Sequence, residues 1–141
     1  MSSRKILLSA DTPCDIGSEL KERYHVSLFP LHILLGDGQY TDGVDITAEE
    51  IYNAWHKKKI LPRTAAINPE EYHHYFLPFL EQGFDIVHIS LGSGLSSSHQ
   101  NAVKAAEQLK DRGSVYVVDS CSLSTGFGLL VCEAGERIAK G

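Results

Sequence analysis

Three short polar stretches carry the residues best suited to chemistry: Asp11-Thr12, Gly92 to Ser98, and Asp119 to Ser122. Each follows an apolar run that reads as a β-strand, and open parallel sheets bind ligands beyond the carboxyl ends of their strands. The middle stretch, Gly92-Ser93-Gly94-Leu95-Ser96-Ser97-Ser98, is the most informative. Its glycines allow a backbone to come close to a ligand, and a serine-rich helix start offers amides and hydroxyl donors. That combination suits a phosphate or a carboxylate without any basic side chain. The competing reading is that Ser96 or Ser97 simply caps the helix that follows.

The other reactive side chains are less well placed. Gly92-x-Gly94 approaches a dinucleotide fingerprint, but Ser97 takes the third glycine position. Ser93 has Leu91 and Leu95 where a nucleophile elbow needs glycines. Cys121 has no neighbouring base or cation, so it reads, with Cys14 and Cys132, as a packed, inert thiol. Among the 7 histidines no pair has the His-x-x-x-His spacing that puts two imidazoles on one helical face, so no metal is expected. His99, three residues past Ser96, is the histidine that can reach a ligand there, whereas His25, His32, His56 and His73 read as surface or packing residues. Lys57-Lys58-Lys59 complements the dipole at a helix C-terminus, or else forms a docking patch for an acidic partner.

These loops need a scaffold, and the hydrophobic pattern supplies one. Apolar runs at Ile6–Leu8, Val26–Leu35, Asp85–Leu91 and Val115–Val118 read as strands, with Pro30 marking the second as an edge or irregular segment. Gly36-Asp37-Gly38 turns the chain, and Tyr40–Asp45 reads as a polar connection. Asp15 is placed to cap a short helix with Ile16, Leu20 and Tyr24 facing inward. Thr47-Ala48-Glu49-Glu50 and Asn68-Pro69-Glu70-Glu71 are capping boxes opening two further helices. The second of these carries an aromatic stripe from Tyr72 to Phe79, which reads as core or as the lining of an apolar tunnel, with a kink expected at Pro78. One helix follows Ser98, and a last one runs towards Lys140. Strands without polar alternation, separated by amphipathic helices, imply an α/β fold: a mostly parallel sheet with helices on both faces.

Composition narrows the function further. The 141 residues match one domain, spanning residues 1–141, with enough chain to bury a core without disulfide or metal staples. A formal charge of −5 is the wrong sign for a nucleic-acid binder. The 3 cysteines include no C-x-x-C, so neither a disulfide framework nor a zinc clip is indicated. There is no apolar run long enough for membrane insertion and no signal-peptide pattern, so a cytoplasmic location is expected.

Six motifs in order resemble the DegV family. Asp11-Thr12-Pro13-Cys14-Asp15-Ile16 is similar to its D-S/T-x-x-D-L loop, Phe29-Pro30-Leu31-His32-Ile33 to its V-P-L-x-I strand, and Tyr40 to Ile46 to its Y-x-D-G-x-D-I segment. Pro62-Arg63-Thr64 begins P-x-T-S-Q-P-S, Ser93 to Ser96 fits S-x-L-S, and Asp119 through Gly128 fits D-S-x-x-x-S-x-G-x-G. The resemblance runs from Asp11 to about Ala134. It implies a non-enzymatic protein that binds a long-chain fatty acid without a cofactor and, as in the FakB relatives, presents its carboxylate to a partner fatty-acid kinase. By the same resemblance Thr64 and Ser96 hold the carboxylate with Ser97 beside them, and Thr12, Ser93, His99 and Ser120 stand behind. A second domain then completes the ligand site, and self-association is another way to cover the surface meant for it. This sequence departs from the family pattern at Ala65-Ala66, where a hydroxyl and an amide side chain are lost, and at Ser97-Ser98-His99, where Gly-Thr-Tyr is usual. Two rival readings follow from the residues: an interaction module whose pocket has decayed, and a phosphoryl-transfer or hydrolase enzyme using Asp11, Asp119 or Cys121.

Overall fold

The computed structural model describes residues 4–141, so the first residues of the expected domain, Met1–Ser3, lie outside the described part. Strands β1 (Lys5–Asp11), β2 (Ser27–Phe29), β6 (Phe84–Ser90) and β7 (Val115–Asp119) form a parallel sheet in the order β2-β1-β6-β7. Strands β3 (His32–Leu35), β4 (Gly38–Thr41) and β5 (Arg63–Ala65) form a small antiparallel sheet in the order β4-β3-β5. The helices are α1 (Ser18–Arg23), α2 (Ala48–Lys58), α3 (Pro69–Glu81), α4 (Ser98–Gln108) and α5 (Ser124–Lys140). The expected α/β architecture with a parallel sheet is present. Helices α3 and α4 pack on one face through β6 and β7, and α5 packs against β1 on the other.

The two sheets come from one sequence run. Val26–Leu35 is not a single strand: it breaks at Pro30, leaving β2 at the edge of the parallel sheet and starting β3 in the other. Proline lacks the amide a central ladder needs, so the break falls where the chain must leave the parallel sheet. The turn at Gly36-Asp37 is a two-residue hairpin loop with Gly36 at φ 61°, and it pairs Leu35 with Gly38. Tyr40 and Thr41, the start of the expected polar connection, therefore belong to strand β4, Asp42–Asp45 remains the connection, and β5 is a further strand without an apolar signature of its own. Both are short, and both borrow their hydrogen bonds from β3.

Capping chemistry explains the helix starts. In α2 the Thr47 hydroxyl accepts from the Glu50 amide while the Glu50 carboxylate accepts from the Thr47 amide, and Asn68 and Glu71 do the same for α3. Asp15 does not cap α1: it sits in a left-handed conformation at φ 50°, and Gly17 takes the cap position. Pro78 cannot donate to the His74 carbonyl and its ring crowds that group, but only the last three residues of α3 follow it, so little helix depends on the lost bond.

The aromatic stripe of α3 is core. Tyr72 and Phe76 are fully buried against Leu8, Ala10 and Ile86 of the sheet and Ala102 and Ala105 of α4, so these rings line no tunnel. Within this core runs a polar seam. The fully buried Asp11 carboxylate accepts from the Tyr72 hydroxyl at 2.7 Å and the Leu91 amide at 2.9 Å, and lies 3.1 Å from His88 Nε2. His88 Nδ1 bonds Ser9 Oγ at 2.9 Å, and Ser9 reaches the Tyr75 hydroxyl at 2.8 Å. Burial opposes ionisation of Asp11, but the His88 ring and the Tyr72 and Leu91 donors outweigh it and hold the carboxyl below its ordinary range.

Because the folded carboxyl is the stronger acid, its contribution to stability is present at neutral pH and is lost as pH falls below about 4. Asp11→Ala strands a buried imidazole and an unpaired amide, so it is expected to cost about 3–5 kcal/mol. Urea unfolding at neutral pH measures this; a loss well under 1 kcal/mol would contradict it.

Candidate functional site

The sheet order sets the location of the site. The crossover from β1 runs to β2 on one side, and that from β6 runs to β7 on the other, so the crevice opens between the carboxyl ends of β1 and β6. Asp11-Thr12 and Leu91 to Ser98 lie there. The third wall comes from the antiparallel sheet, where Thr64 of β5 pairs with Ile33 of β3.

Two adjoining cavities occupy this crevice. One of about 280 Å³ is lined by Thr64, Ala65, Ala66, Ser96, Ser97, Leu31, Leu91 and Leu95. The other, about 400 Å³, is predominantly apolar and is lined by Pro13, Leu31, Ile33, Leu91, Leu95 and Leu123 together with Asp15, Asp42 and Thr64. They share Leu31, Thr64, Leu91 and Leu95, so a hydroxyl-bearing end runs directly into a greasy groove. Leu95 and Leu123 are 64% and 52% exposed, which makes them an open rim rather than a closed wall. A larger depression of about 710 Å³, lined by Asn68, Pro69, Glu70, His73, His74 and Gln108, has no residue in common with this pair.

Thr64, Ser96 and Ser97 are thus brought together on the smaller cavity. The Ser96 hydroxyl donates to Ser98 Oγ at 3.0 Å and accepts from the Ser98 amide at 3.1 Å. Ser97 stands at the cap position of α4 but makes no side-chain cap bond, so its hydroxyl is not spent on the helix. The other four sequence candidates line neither cavity. Thr12 Oγ1 accepts from the Leu31 amide at 3.2 Å, just as Asp11 accepts from that of Leu91. The two neighbours at the end of β1 therefore hold the two leucines that floor the crevice. His99 Nδ1 is bonded to Ser90 Oγ at 2.8 Å, and Ser120 closes a local turn with Ser122. Ser93 gives its amide to Asp119 Oδ1 at 3.0 Å.

Asp119 and Gly92 show how the loop is held. Asp119 Oδ1 also accepts from the Cys121 amide at 2.9 Å, joining the β6–α4 and β7–α5 loops. Hydrogen bonds from Ser93, first, and from the Cys121 amide lower its pKa to about 2. Gly92 donates to the Ser122 carbonyl at 3.0 Å, and a Cβ there would stand 2.7 Å from the Ser122 nitrogen. Gly92 consequently serves the approach of two loops, whereas Gly94 has open space around it. Cys121 is exposed, not packed, because this junction turns it outward at φ 50°. Among the described residues no three His, Cys, Asp or Glu side chains converge as a metal site.

Sequence reasoning missed two positioning side chains. Asn101 Nδ2 donates to the Ile67 carbonyl at 2.8 Å, tying the segment after β5 to α4 and so setting Thr64 opposite the serine loop. His32 Nε2 meets Glu71 Oε1 at 2.5 Å, linking β3 to the start of α3. Neither has a local signal, since each partner is distant in sequence. Leu95 and Leu123 did leave one: a large apolar residue stands alone inside each polar loop.

The fold and the crevice define an α/β protein with a ligand cavity at the switch point of its parallel sheet. A model of the "Uncharacterised protein, DegV family" matches residues 5–141, and the chain belongs to that family. A DegV domain-containing protein of Clostridium perfringens is 30% identical over 137 residues, covering 97% of this chain and 49% of its own length. A stearic-acid-binding protein from Eubacterium ventriosum superposes with a TM-score of 0.87 at 30% identity, over 95% of this chain and 47% of that one. A DegV family protein from Thermus thermophilus, described by its fatty-acid binding, gives 0.86 at 29% identity, over 97% and 48%. The chain spans about half the length of the relatives it matches.

Because Asp119 is the stronger acid in the folded loop, its anchoring holds above its ordinary pKa and is lost as pH falls from about 4 towards 2. Amide hydrogen exchange at Ser93 and Cys121, corrected for intrinsic rates, is expected to accelerate across that window. Asp119→Ala, which removes the acceptor, should show fast exchange at neutral pH already; unchanged protection in the variant would contradict the assignment.

Proposed function

We propose that this protein binds a long-chain fatty acid as a carrier, holding the carboxylate at Thr64, Ser96 and Ser97 and the tail along Leu31, Ile33, Leu91, Leu95 and Leu123. The observation that carries this reading is the continuity of the two cavities through four shared residues. A tail of ten methylenes contributes roughly 8 kcal/mol before association costs, at ~0.8 kcal/mol each. Hydrogen bonds to a charged head group contribute ~1.5–3 kcal/mol apiece. The groove therefore supplies affinity and the hydroxyls supply orientation. The similar proteins from Eubacterium ventriosum and Thermus thermophilus are both described by fatty-acid binding, which supports the same ligand class here.

Hydroxyl donors leave the carboxylate nucleophilic, where a bidentate arginine would mask it. The protein is accordingly a presenter: a partner kinase phosphorylates the exposed head group, and the chain performs no turnover itself. Asp11, one of the three candidates for chemistry, supports this division because its carboxylate is buried with its bonds taken up by Tyr72, His88 and Leu91. The space beside Thr64 is polar but open rather than filled by side chains, and this openness supports a working pocket over a decayed one. In this reading residues 1–141 form one α/β domain of a cytoplasmic protein, and the open rim at Leu95 and Leu123 is where a second domain or a second copy covers the tail.

Protein expressed in bacteria and purified mildly is expected to carry fatty acid visible by native mass spectrometry. Empty protein that also fails to take up palmitate or oleate would sink the proposal. Thr64→Ala and Ser96→Ala should each weaken binding about 10- to 100-fold while shifting the melting temperature little, Thr64 being exposed.

A further inference from the structure

Helix α2 carries a feature that fatty-acid binding does not use. None of its residues is buried. It nevertheless bears Tyr52 and the chain's single tryptophan, Trp55, which stand three positions apart on neighbouring turns and are 65% and 38% exposed. Val44 just before the helix and Leu61 just after it are 74% and 68% exposed. The last turn is His56-Lys57-Lys58, followed by Lys59, whose Nζ lies 5.2 Å from the Trp55 ring centre. A run of cations on a chain of net charge −5 is a local reversal of sign.

We propose that α2 docks this protein onto an anionic bilayer surface, with Tyr52 and Trp55 entering the headgroup layer, Lys59 beside Trp55, and Lys57 and Lys58, which border the groove between α2 and the β3–β4 hairpin, reaching lipid phosphates from the flank of the helix. An indole and a phenol prefer the boundary between water and acyl chains, and lysine stems lie along apolar surface while their ammonium groups stay in water. Helices that lie in the membrane plane combine these residue types. No described helix is long and apolar enough to cross a membrane, so the contact is confined to the surface. Aliphatic side chains exposed beyond both ends of the same helix favour a flat lipid surface over a protein pocket that would grip Trp55 alone. Glu49 and Glu50 lie in the first turn, away from the lysines, and the Glu50 carboxylate is engaged by Thr47. From Lys59 the chain needs only Ile60, Leu61 and Pro62 to reach β5, so docking places Thr64 near the source of its ligand. This inference rests on the lipid-carrier reading for its purpose, but its test does not.

The single tryptophan is a built-in reporter. With phosphatidylcholine vesicles containing about one third phosphatidylglycerol, Trp55 emission is expected to shift to the blue and the protein to co-sediment. Vesicles of phosphatidylcholine alone should do neither, and about 0.5 M salt should reverse the binding. Replacing all three lysines by glutamine should lower the partition on the order of 100-fold, each lysine near an anionic surface contributing several-fold. Three results overturn the inference: no co-sedimentation with anionic vesicles, co-sedimentation with Trp55 emission unmoved, or binding unchanged in the triple variant. A blue shift produced by polyglutamate but not by vesicles also overturns it, in favour of an acidic protein partner. Native mass spectrometry of the triple variant separates the two claims: retained fatty acid with lost docking supports a surface independent of the ligand site. Docking by wild-type protein that never binds fatty acid removes the carrier reading alone.

Discussion

Everything at the ligand crevice hangs on the end of β1. There, one buried carboxylate and the adjacent hydroxyl fix two backbone amides from different parts of the chain: Asp11 holds Leu91 and Thr12 holds Leu31. A buried carboxylate is tolerable only when its lone pairs are satisfied. Tyr72 and His88, from α3 and β6, supply the remaining bonds, which lock the helix and the strand to the same point. The floor of the groove is thus set by the polar seam of the core, not by the leucines that form it.

The serine loop is held by a second, independent device. Asp119 bridges two loops and Gly92 lets them touch, so residues beyond β6 and β7 behave as one ledge. Side chains that looked available for chemistry are consumed in this way, and the site is left with hydroxyls and an apolar surface. Such a lining pairs hydroxyl donors with an apolar surface, which is the chemistry the proposed fatty-acid ligand calls for.

How much of this was legible in the sequence depended on range. Capping boxes, the parallel strands and the helices on both faces were readable because each is written in a few consecutive residues. The antiparallel sheet was not: β4 and β5 are short and mostly polar, and exist because β3 offers them partners. Thr64, Ser96 and Ser97 were named through a family resemblance, and their convergence follows from the register of Thr64 with Ile33 and from the Asn101–Ile67 bond. His88 falls within the strand expected over Asp85–Leu91, but its service to Asp11 required knowing that Ser9 and His88 stand side by side across two parallel strands. Glycine in the loop was read as room for a ligand, when at Gly92 it is room for another loop.

That Thr64 rides on a sheet of its own has a consequence for evolvability. Substitutions within β3, β4 and β5 leave the strand register of the parallel sheet untouched. The ties between that small sheet and the rest, Leu31 to Thr12 and Ile67 to Asn101, run through the backbone amide of Leu31 and the backbone carbonyl of Ile67, so they do not depend on the side chains there. The wall that carries Thr64, Ala65 and Ala66 can therefore change its side chains while keeping its place.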